Sequence, residues 1–198
     1  MLRPELSNDE LLLIRHAPAA AEGRLAGRRD VGLEPVSPQV VSHVQSVFAP
    51  LDLGVVCSPA IRCRETVRLI WPGYDPVVDT RLWEQDFGVW EGMPFEDLPD
   101  LGEMTDEVLA DHCPPQGESF NALCGRVQPA FAEAAAEVRG SEKPLAIIAH
   151  AGVIRGALAM LAGAPAALRF EVAPLSVTRF RCLPDGSFSA ISVNGYLS

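Results

Sequence analysis

Leu11-Leu12-Leu13-Ile14 runs directly into Arg15-His16. Four consecutive apolar residues have the length and continuity of a strand buried on both faces of an α/β sheet. The guanidinium and the imidazole then fall at the carboxyl end of that strand, the edge at which open α/β sheets hold their ligands. An imidazole beside a guanidinium able to grip an oxyanion through two parallel N–H groups has the composition of a nucleophile with its phosphate clamp. An Arg-His pair after a strand is also a common structural pair. What decides between the two is whether other strands deliver matching groups to the same edge.

Gly54-Val55-Val56-Cys57 reads as a second buried strand and leads into Ser58-Pro59-Ala60-Ile61-Arg62-Cys63-Arg64-Glu65-Thr66. Ser58 is expected to cap a helix with Pro59 in its first turn, where backbone N–H groups favour an anion. Arg62 falls in that first turn, placed to reach the same edge as Arg15; Arg64 and Arg68 lie further along, toward solvent. Pro144-Leu145-Ala146-Ile147-Ile148-Ala149-His150 repeats the opening pattern. Ala151-Gly152-Val153-Ile154-Arg155 then begins a helix whose small residues let the backbone close on a ligand. Two histidines thus end two apolar strands, placed to meet.

Between these strands lies Arg81-Leu82-Trp83-Glu84-Gln85-Asp86-Phe87-Gly88-Val89-Trp90-Glu91-Gly92. The tryptophans and Phe87 surround three carboxyls. A carboxyl in apolar surroundings can be desolvated and kept protonated near neutrality, as a general acid requires. Spacing does not choose among Glu84, Asp86 and Glu91. In the Ala-, Gly- and Arg-rich loop after His16, Gly27-Arg28-Arg29-Asp30 offers two adjacent arginines that could line a substrate mouth. Arg29 could equally be half of a solvated Arg-Asp pair.

The remaining segments read as scaffold. Ser37-Pro38 opens a helix whose buried face is Val40, Val41, Val44, Val47 and Phe48, with His43 off that face. Val77-Val78 is a short strand. Pro94 to Pro115 is an acidic excursion broken by Pro and Gly, a candidate substrate-facing cap with a short helix near Met104–Ala110. Glu118 to Arg139 is the longest helical pattern, with Phe120, Leu123, Cys124, Val127, Phe131, Ala134 and Val138 on one face and a kink expected at Pro129. Ser176–Cys182 and Phe188–Val193 read as a hairpin joined through Pro184-Asp185-Gly186.

Composition narrows the function. The 198 residues suffice for one domain with a substantial core, and 48% are hydrophobic. A net charge of −10 argues against nucleic acid and against anionic membrane as partners, but not against a small anionic substrate. Met1 to Glu10 is polar and acidic, and the apolar run after it is too short for a signal or a span, so a cytoplasmic protein is expected. The five cysteines are scattered and show no CxxC or Cys/His zinc spacing, which points to thiols without a bound metal. Six positions after Cys57 stands Cys63 where a cysteine phosphatase needs Arg.

Taken in order, Leu13-Ile14-Arg15-His16, Ser58 to Thr66, Leu82-Trp83-Glu84-x-x-Phe87-Gly88-x-Trp90-Glu91-Gly92, Gly117-Glu118-Ser119 and His150-x-Gly152-Val153-Ile154-Arg155 resemble the motifs of the histidine phosphatase superfamily, the phosphoglycerate mutase-like proteins. The resemblance implies a three-layer α/β/α fold, mainly parallel in its central sheet with helices on both faces, and a single domain over residues 1–198. It implies that His16 is the nucleophile that becomes phosphohistidine. Arg15, Arg62 and His150 would surround the phosphoryl oxygens, Arg28 would join them as a phosphate-binding residue, and Glu84 would protonate the leaving alcohol. No cofactor and no metal are implied; the partner is a small-molecule phosphate ester, and a homodimer is one open oligomeric state. Most members follow Arg-His with Gly, then Thr and Asn; this chain has Ala17-Pro18-Ala19-Ala20-Ala21-Glu22. Gly27-Arg28-Arg29-Asp30 is similar to the loop of the alpha-ribazole phosphatases, so alpha-ribazole 5′-phosphate, in cobalamin biosynthesis, is the expected substrate. A phosphoglycerate mutase, a broad sugar-phosphate phosphatase and an inactive phospho-ligand binding module are the alternatives.

Overall fold

Two strands at the middle of one sheet carry the two histidines to a common edge. The structure is a computed structural model that describes residues 6–141 and 143–196. The first half of the Met1–Glu10 stretch therefore lies outside the described residues. In chain order the elements are β1 (Glu10–Arg15), α1 (Pro38–Phe48), β2 (Gly54–Cys57), α2 (Ile61–Ile70), β3 (Val77–Val78), α3 (Asp106–Asp111), α4 (Phe120–Ser141), β4 (Leu145–Ala149), α5 (Ala151–Ala162), α6 (Ala164–Ala167), β5 (Val177–Cys182) and β6 (Phe188–Gly195). Short 3-10 turns occupy 80–82, 88–90 and 95–97.

The strands form a six-stranded sheet in the order β3-β2-β4-β1-β5-β6. β1 and β4, β4 and β2, and β2 and β3 pair in parallel; β1 with β5 and β5 with β6 pair antiparallel. The sheet is thus mixed, with its parallel half where the Arg- and His-bearing motifs lie. The unbroken apolar run of β1 has a direct cause. Leu11 and Leu13 pack into one cluster with α4 and α5, while Leu12 and Ile14 pack into a second with α1 and α2. Alternate residues of a strand point to opposite faces, so helices on both sides demand apolar residues at every position. This makes the three α/β/α layers.

Parallel pairing also aligns carboxyl ends. Arg15 is in register with Ala149, and Cys57 with Ile148. The ladder continues one residue further, as His16 N donates to Ala149 O at 2.9 Å and Ser58 N to Ile148 O at 3.0 Å. The residues after three strands are held side by side by backbone bonds before any side chain is considered.

Several local expectations change. Val40 is 40% exposed and only Val44 and Phe48 of α1 are buried, because this peripheral helix meets the core along one narrow ridge. Ser37 does cap it, accepting from Val40 N. Ser58 does not cap α2; Ala60 holds that position, and the Ser58 side chain turns inward to His150. α4 begins at Phe120 and continues as one element through Pro129, with Cys124 half-buried. The short helix of the acidic excursion is α3, capped by Thr105, whose side chain accepts from Val108 N. All five cysteines are free thiols.

Candidate active site

His16 is 6% exposed. Its Nδ1 lies 2.7 Å from Ala17 O, a contact that places the proton on Nδ1 and leaves the lone pair of Nε2 free. α2 braces the turn that follows: Ala17 N donates to Thr66 Oγ1 at 3.0 Å, and Thr66 Oγ1 donates to Arg62 O at 2.7 Å. The His16 ring meets His150 edge-on, with centroids 5.1 Å apart. Burial pushes the imidazole down to about 3 against an ordinary 6.5; the bond to Ala17 opposes this, and the charges of Arg62 and Arg15 add to it. His16 is a neutral imidazole with an available lone pair across the neutral and mildly acidic range.

His150 is fully buried. Its Nε2 lies 2.8 Å from Ser58 Oγ and 3.6 Å from Cys63 Sγ. Burial holds it well below the usual histidine range, and Arg62, His16 and Arg15 push the same way. Of the two arginines, Arg62 is buried and Arg15 half-buried. Arg62 is 2% exposed and donates through Nη1 to Arg29 O at 3.0 Å and through Nη2 to Gly27 O at 2.7 Å. A guanidinium has five N–H donors, so three remain for an oxyanion. Arg15 donates through Nη1 to Val172 O at 2.6 Å, and its Nε is buried without a hydrogen-bond partner. Burial lowers its affinity for the proton, Glu84 opposes, and Arg155 and Arg62 lower it further. A buried cationic donor left unmet beside like charges is costly unless an anion completes it.

The three carboxyls left open by spacing separate in space. Glu84 Oε2 accepts from Gly152 N at 3.3 Å, at the start of α5, and Oε1 accepts from Gln85 N at 2.9 Å. Asp86 accepts from Gly88 N at 2.9 Å and faces Arg28 at 3.5 Å. Glu91 accepts from Arg28 N and Phe87 N. Asp86 and Glu91 thus bond their own loop and join it to Arg28 of the loop after His16, while Glu84 alone of the three reaches the helix that His150 begins. Arg28 lies alongside, its Nε 3.5 Å from Glu84 O and its charge met by Asp86 and Glu118.

Pattern reasoning did not single out Arg126, Thr66 or the inward role of Ser58. Arg126, on α4, donates to Arg81 O, Trp83 O and Glu84 O and pairs with Glu118, which fixes the backbone that presents Glu84. A charged residue between Leu123 and Val127 of a buried face was the available signal. Arg81 pairs with Asp79 and Glu133 and leaves Glu84 without an ion pair among the described residues. Among the described residues no cluster of three or more His, Cys, Asp or Glu side chains is arranged to hold a metal ion.

Two expected results follow from this geometry. A Cβ on Gly152 would overlap Glu84 Oε1. Gly152→Ala should therefore displace a flexible carboxyl tip and leave the helix intact. On the expectation that Glu84 is the proton donor, its displacement by about 1 Å lowers the rate by up to about a hundredfold. Turnover should fall by about that factor with little change in melting temperature, as steady-state kinetics and calorimetry would show. The second concerns pH. The folded value of His16 lies below its unfolded value, so between about 3 and 6.5 the unfolded chain binds the extra proton. Stability from this group is present above 6.5 and is lost as pH falls toward 3, and His150 acts in the same direction. Urea unfolding across that window should show stability falling with acidification, with a shallower slope in His16→Asn.

Two buried imidazoles, the buried Arg62 and the half-buried Arg15 at one strand edge, with a carboxyl beside them, make a site suited to oxyanions. The chain belongs to the histidine phosphatase superfamily (branch 1), whose family model matches residues 11–194. It is 29% identical to the Bifunctional protein Rv2228c of Mycobacterium tuberculosis over 202 residues, covering 94% of this chain and 54% of that protein. The chain thus spans about half the length of that curated relative. Among solved structures, the native mycobacterial glucosyl-3-phosphoglycerate phosphatase Rv2419c is similar with a TM-score of 0.81 and 22% identity, covering 95% of this chain and 99% of that one. A candidate alpha-ribazole-5′-P phosphatase from Escherichia coli K-12 is similar with a TM-score of 0.77 and 21% identity, covering 96% and 98%. At these identities the likeness of the solved structures speaks to the fold alone.

Proposed function

We propose that this chain is a metal-independent phosphomonoesterase that works through a phosphohistidine. The observation that carries the reading is the pairing of a neutral His16, its Nδ1 engaged and its Nε2 free, with a buried Nε on the half-buried Arg15 that has no hydrogen-bond partner among the described residues. In the first step His16 Nε2 forms a bond to phosphorus as the ester P–O bond breaks in line. Arg15, Arg62 and His150 hold the three equatorial oxygens, where charge is spread in the transition state. Glu84 gives its proton to the departing alkoxide. In the second step Glu84 takes a proton from water, the water oxygen attacks phosphorus, and the N–P bond breaks to return neutral His16 and inorganic phosphate. Arg28, its charge already met by Asp86 and Glu118, sits at the rim of this arrangement.

The same reading takes residues 1–198 as one domain and the substrate as a small phosphate ester. Alpha-ribazole 5′-phosphate, with a cytoplasmic role in cobalamin synthesis, is supported by the Gly27-Arg28-Arg29-Asp30 loop, which is similar to that of the alpha-ribazole phosphatases. Esters of phosphoglycerate are the second reading, supported by 26% identity over 168 residues to the Glucosyl-3-phosphoglycerate phosphatase of Mycolicibacterium vanbaalenii. Among the described residues no helix is long and apolar enough to cross a membrane.

The test is phosphate release in the presence of chelator from p-nitrophenyl phosphate, alpha-ribazole 5′-phosphate and 3-phosphoglycerate, with His16→Ala alongside. Release that resists chelator and is lost in the variant supports the phosphohistidine reading. A best rate on alpha-ribazole phosphate supports the cobalamin role; release from p-nitrophenyl phosphate without it removes that role and keeps the chemistry. No release and no isomerisation of 3-phosphoglycerate would overturn the enzyme reading in favour of a binding module.

A further inference from the structure

We propose that Asn194 is a positioning residue for the phosphate clamp: through the peptide that joins Val172 to Ala173, it fixes which edge of the Arg15 guanidinium faces the phosphoryl group. The proposal rests on the phosphatase reading of the inner site. Its starting point is the way Arg15 is held. The segment 172–176, between α6 and β5, grips this one residue at both its side chain and its backbone. Arg15 Nη1 donates to Val172 O at 2.6 Å, Leu175 N donates to Arg15 O at 3.0 Å, and Arg15 N donates to Ser176 O at 3.2 Å. Two residues, Leu175 and Ser176, thus face one residue at the end of β1. That is a β-bulge, a device by which strands re-aim a side chain beside a site. Leu175 has φ +60°, a left-handed conformation that a bulky residue holds only where its surroundings impose it.

Which donor is taken decides what remains. A guanidinium meets two oxygens of an anion at once through parallel N–H groups. Arg179 shows this within the same chain: its Nε and Nη2 grip the two oxygens of Glu10 at 2.8 and 2.9 Å. In Arg15 the carbonyl of Val172 takes Nη1, the nitrogen outside that pair. Nε is buried without a hydrogen-bond partner among the described residues, and Nη2 has none there either. The edge that closes on Glu10 in Arg179 is therefore the edge left open in Arg15.

The carbonyl that makes this choice is held from β6. Ala173 N donates to Asn194 Oδ1 at 2.6 Å, and Asn194 N donates to Thr178 Oγ1 at 3.3 Å. Val172 O and Ala173 N are the two ends of one planar peptide, so they turn together. Asn194 Oδ1 holds one end, and Arg15 Nη1 meets the other. Asn194 itself has φ +54°, which asparagine adopts more readily than most residues. A tether is needed because the charges around Arg15 pull unevenly: Glu84 attracts it, while Arg155 and Arg62 repel it. A guanidinium released from Val172 O is free to turn its open edge toward Glu84, the carboxyl that must exchange a proton.

The experiment measures inorganic phosphate affinity by calorimetry, and kcat and KM on p-nitrophenyl phosphate. The proteins are the wild type, Asn194→Gly, Asn194→Asp, Arg15→Lys and the double variant Arg15→Lys/Asn194→Gly. Glycine keeps the positive φ without strain and removes only the amide, whereas aspartate keeps an accepting oxygen. Asn194→Gly should bind phosphate about tenfold more weakly, the scale of one hydrogen bond to a charged group, with a similar fall in kcat/KM. Asn194→Asp should stay within about threefold of the wild type. Lysine has no such edge to present, so in the Arg15→Lys background the glycine should change affinity by less than about twofold. Equal factors in both backgrounds, as a purely structural role would give, would overturn the proposal. So would wild-type affinity in Asn194→Gly, or a loss in Asn194→Asp as large as that in the glycine variant. Affinities are read below the lowest melting temperature of the set, and Asn194→Ser, whose oxygen stands one bond closer to the backbone, replaces a glycine variant that does not fold. Turnover of p-nitrophenyl phosphate that disappears in His16→Ala keeps the phosphatase reading whatever the Asn194 variants do. Its absence in the wild type overturns that reading, while phosphate affinity across the same variants still decides the role of Asn194.

Discussion

His16→Ala is expected to lower phosphate release by about four orders of magnitude or more, the scale on which an enzyme loses its nucleophile. The argument is structural before it is chemical. Among the described residues His16 Nε2 is the one imidazole nitrogen of the buried pair without a hydrogen-bond partner, since its Nδ1 engages Ala17 O, and in His150 Nε2 engages Ser58 and Nδ1 lies 3.9 Å from Cys63 Sγ. Burial keeps its lone pair unprotonated at the pH of any ordinary assay. Alanine removes the only group placed to form the first bond, while Arg15, Arg62 and His150 still offer a place for the phosphoryl group. The variant should therefore still bind inorganic phosphate or vanadate. A rapid acid-free quench of the wild type with a radiolabelled ester should trap label in an acid-labile, base-stable form, and the variant should trap none. Label recovered equally from the variant would move the nucleophile elsewhere.

Glu84→Gln is expected to discriminate between leaving groups. A positioned general acid contributes about 10² to 10⁴ in rate where the leaving oxygen needs a proton. Alkoxides need one; p-nitrophenolate departs without it. The variant should thus lose about a thousandfold on an alkyl ester and far less on p-nitrophenyl phosphate. Glutamine keeps an oxygen for Gly152 N and Gln85 N, so the loop should hold its place. Asp86→Asn and Glu91→Gln serve as comparisons, because their carboxyls bond the loop's own backbone and Arg28. Equal loss on both ester types would assign Glu84 a positioning role.

The strands that end in Arg15-His16 and His150 were legible because burial on both faces leaves an unmixed apolar run that stops where the sheet stops. The same logic recovered β2, and the three- and four-residue spacing from Phe120 to Val138 recovered α4. Glu84 was narrower: three carboxyls share one aromatic neighbourhood, and only the arrival of Gly152 from a distant part of the chain separates them. Ser58 looked like a cap because Ser-Pro before a helical run is the local signature of one. Its hydroxyl serves His150 instead, a partner that no local pattern contains. Thr66 and Arg126 were silent for the same reason, since their bonds run to Ala17 and to the Glu84 backbone across the fold. Val40 fitted the helical stripe and is exposed, because periodicity tells which residues share a face and not how much of that face is covered.

β1 pairs with β4 on one side and β5 on the other, and both partners belong to the last third of the chain. Within this fold the strand that ends in Arg15-His16 is therefore made well before either of its partners. Its apolar run has no neighbouring strand to join until β4 and β5 have followed. Contacts so distant in sequence are slow to form, and an unpaired apolar strand is prone to stick to others meanwhile. Nascent chains arrested before Val177 should be caught by holdase chaperones and degraded, and the strand edge that carries His16 and His150 should assemble only once β4 and β5 have been made.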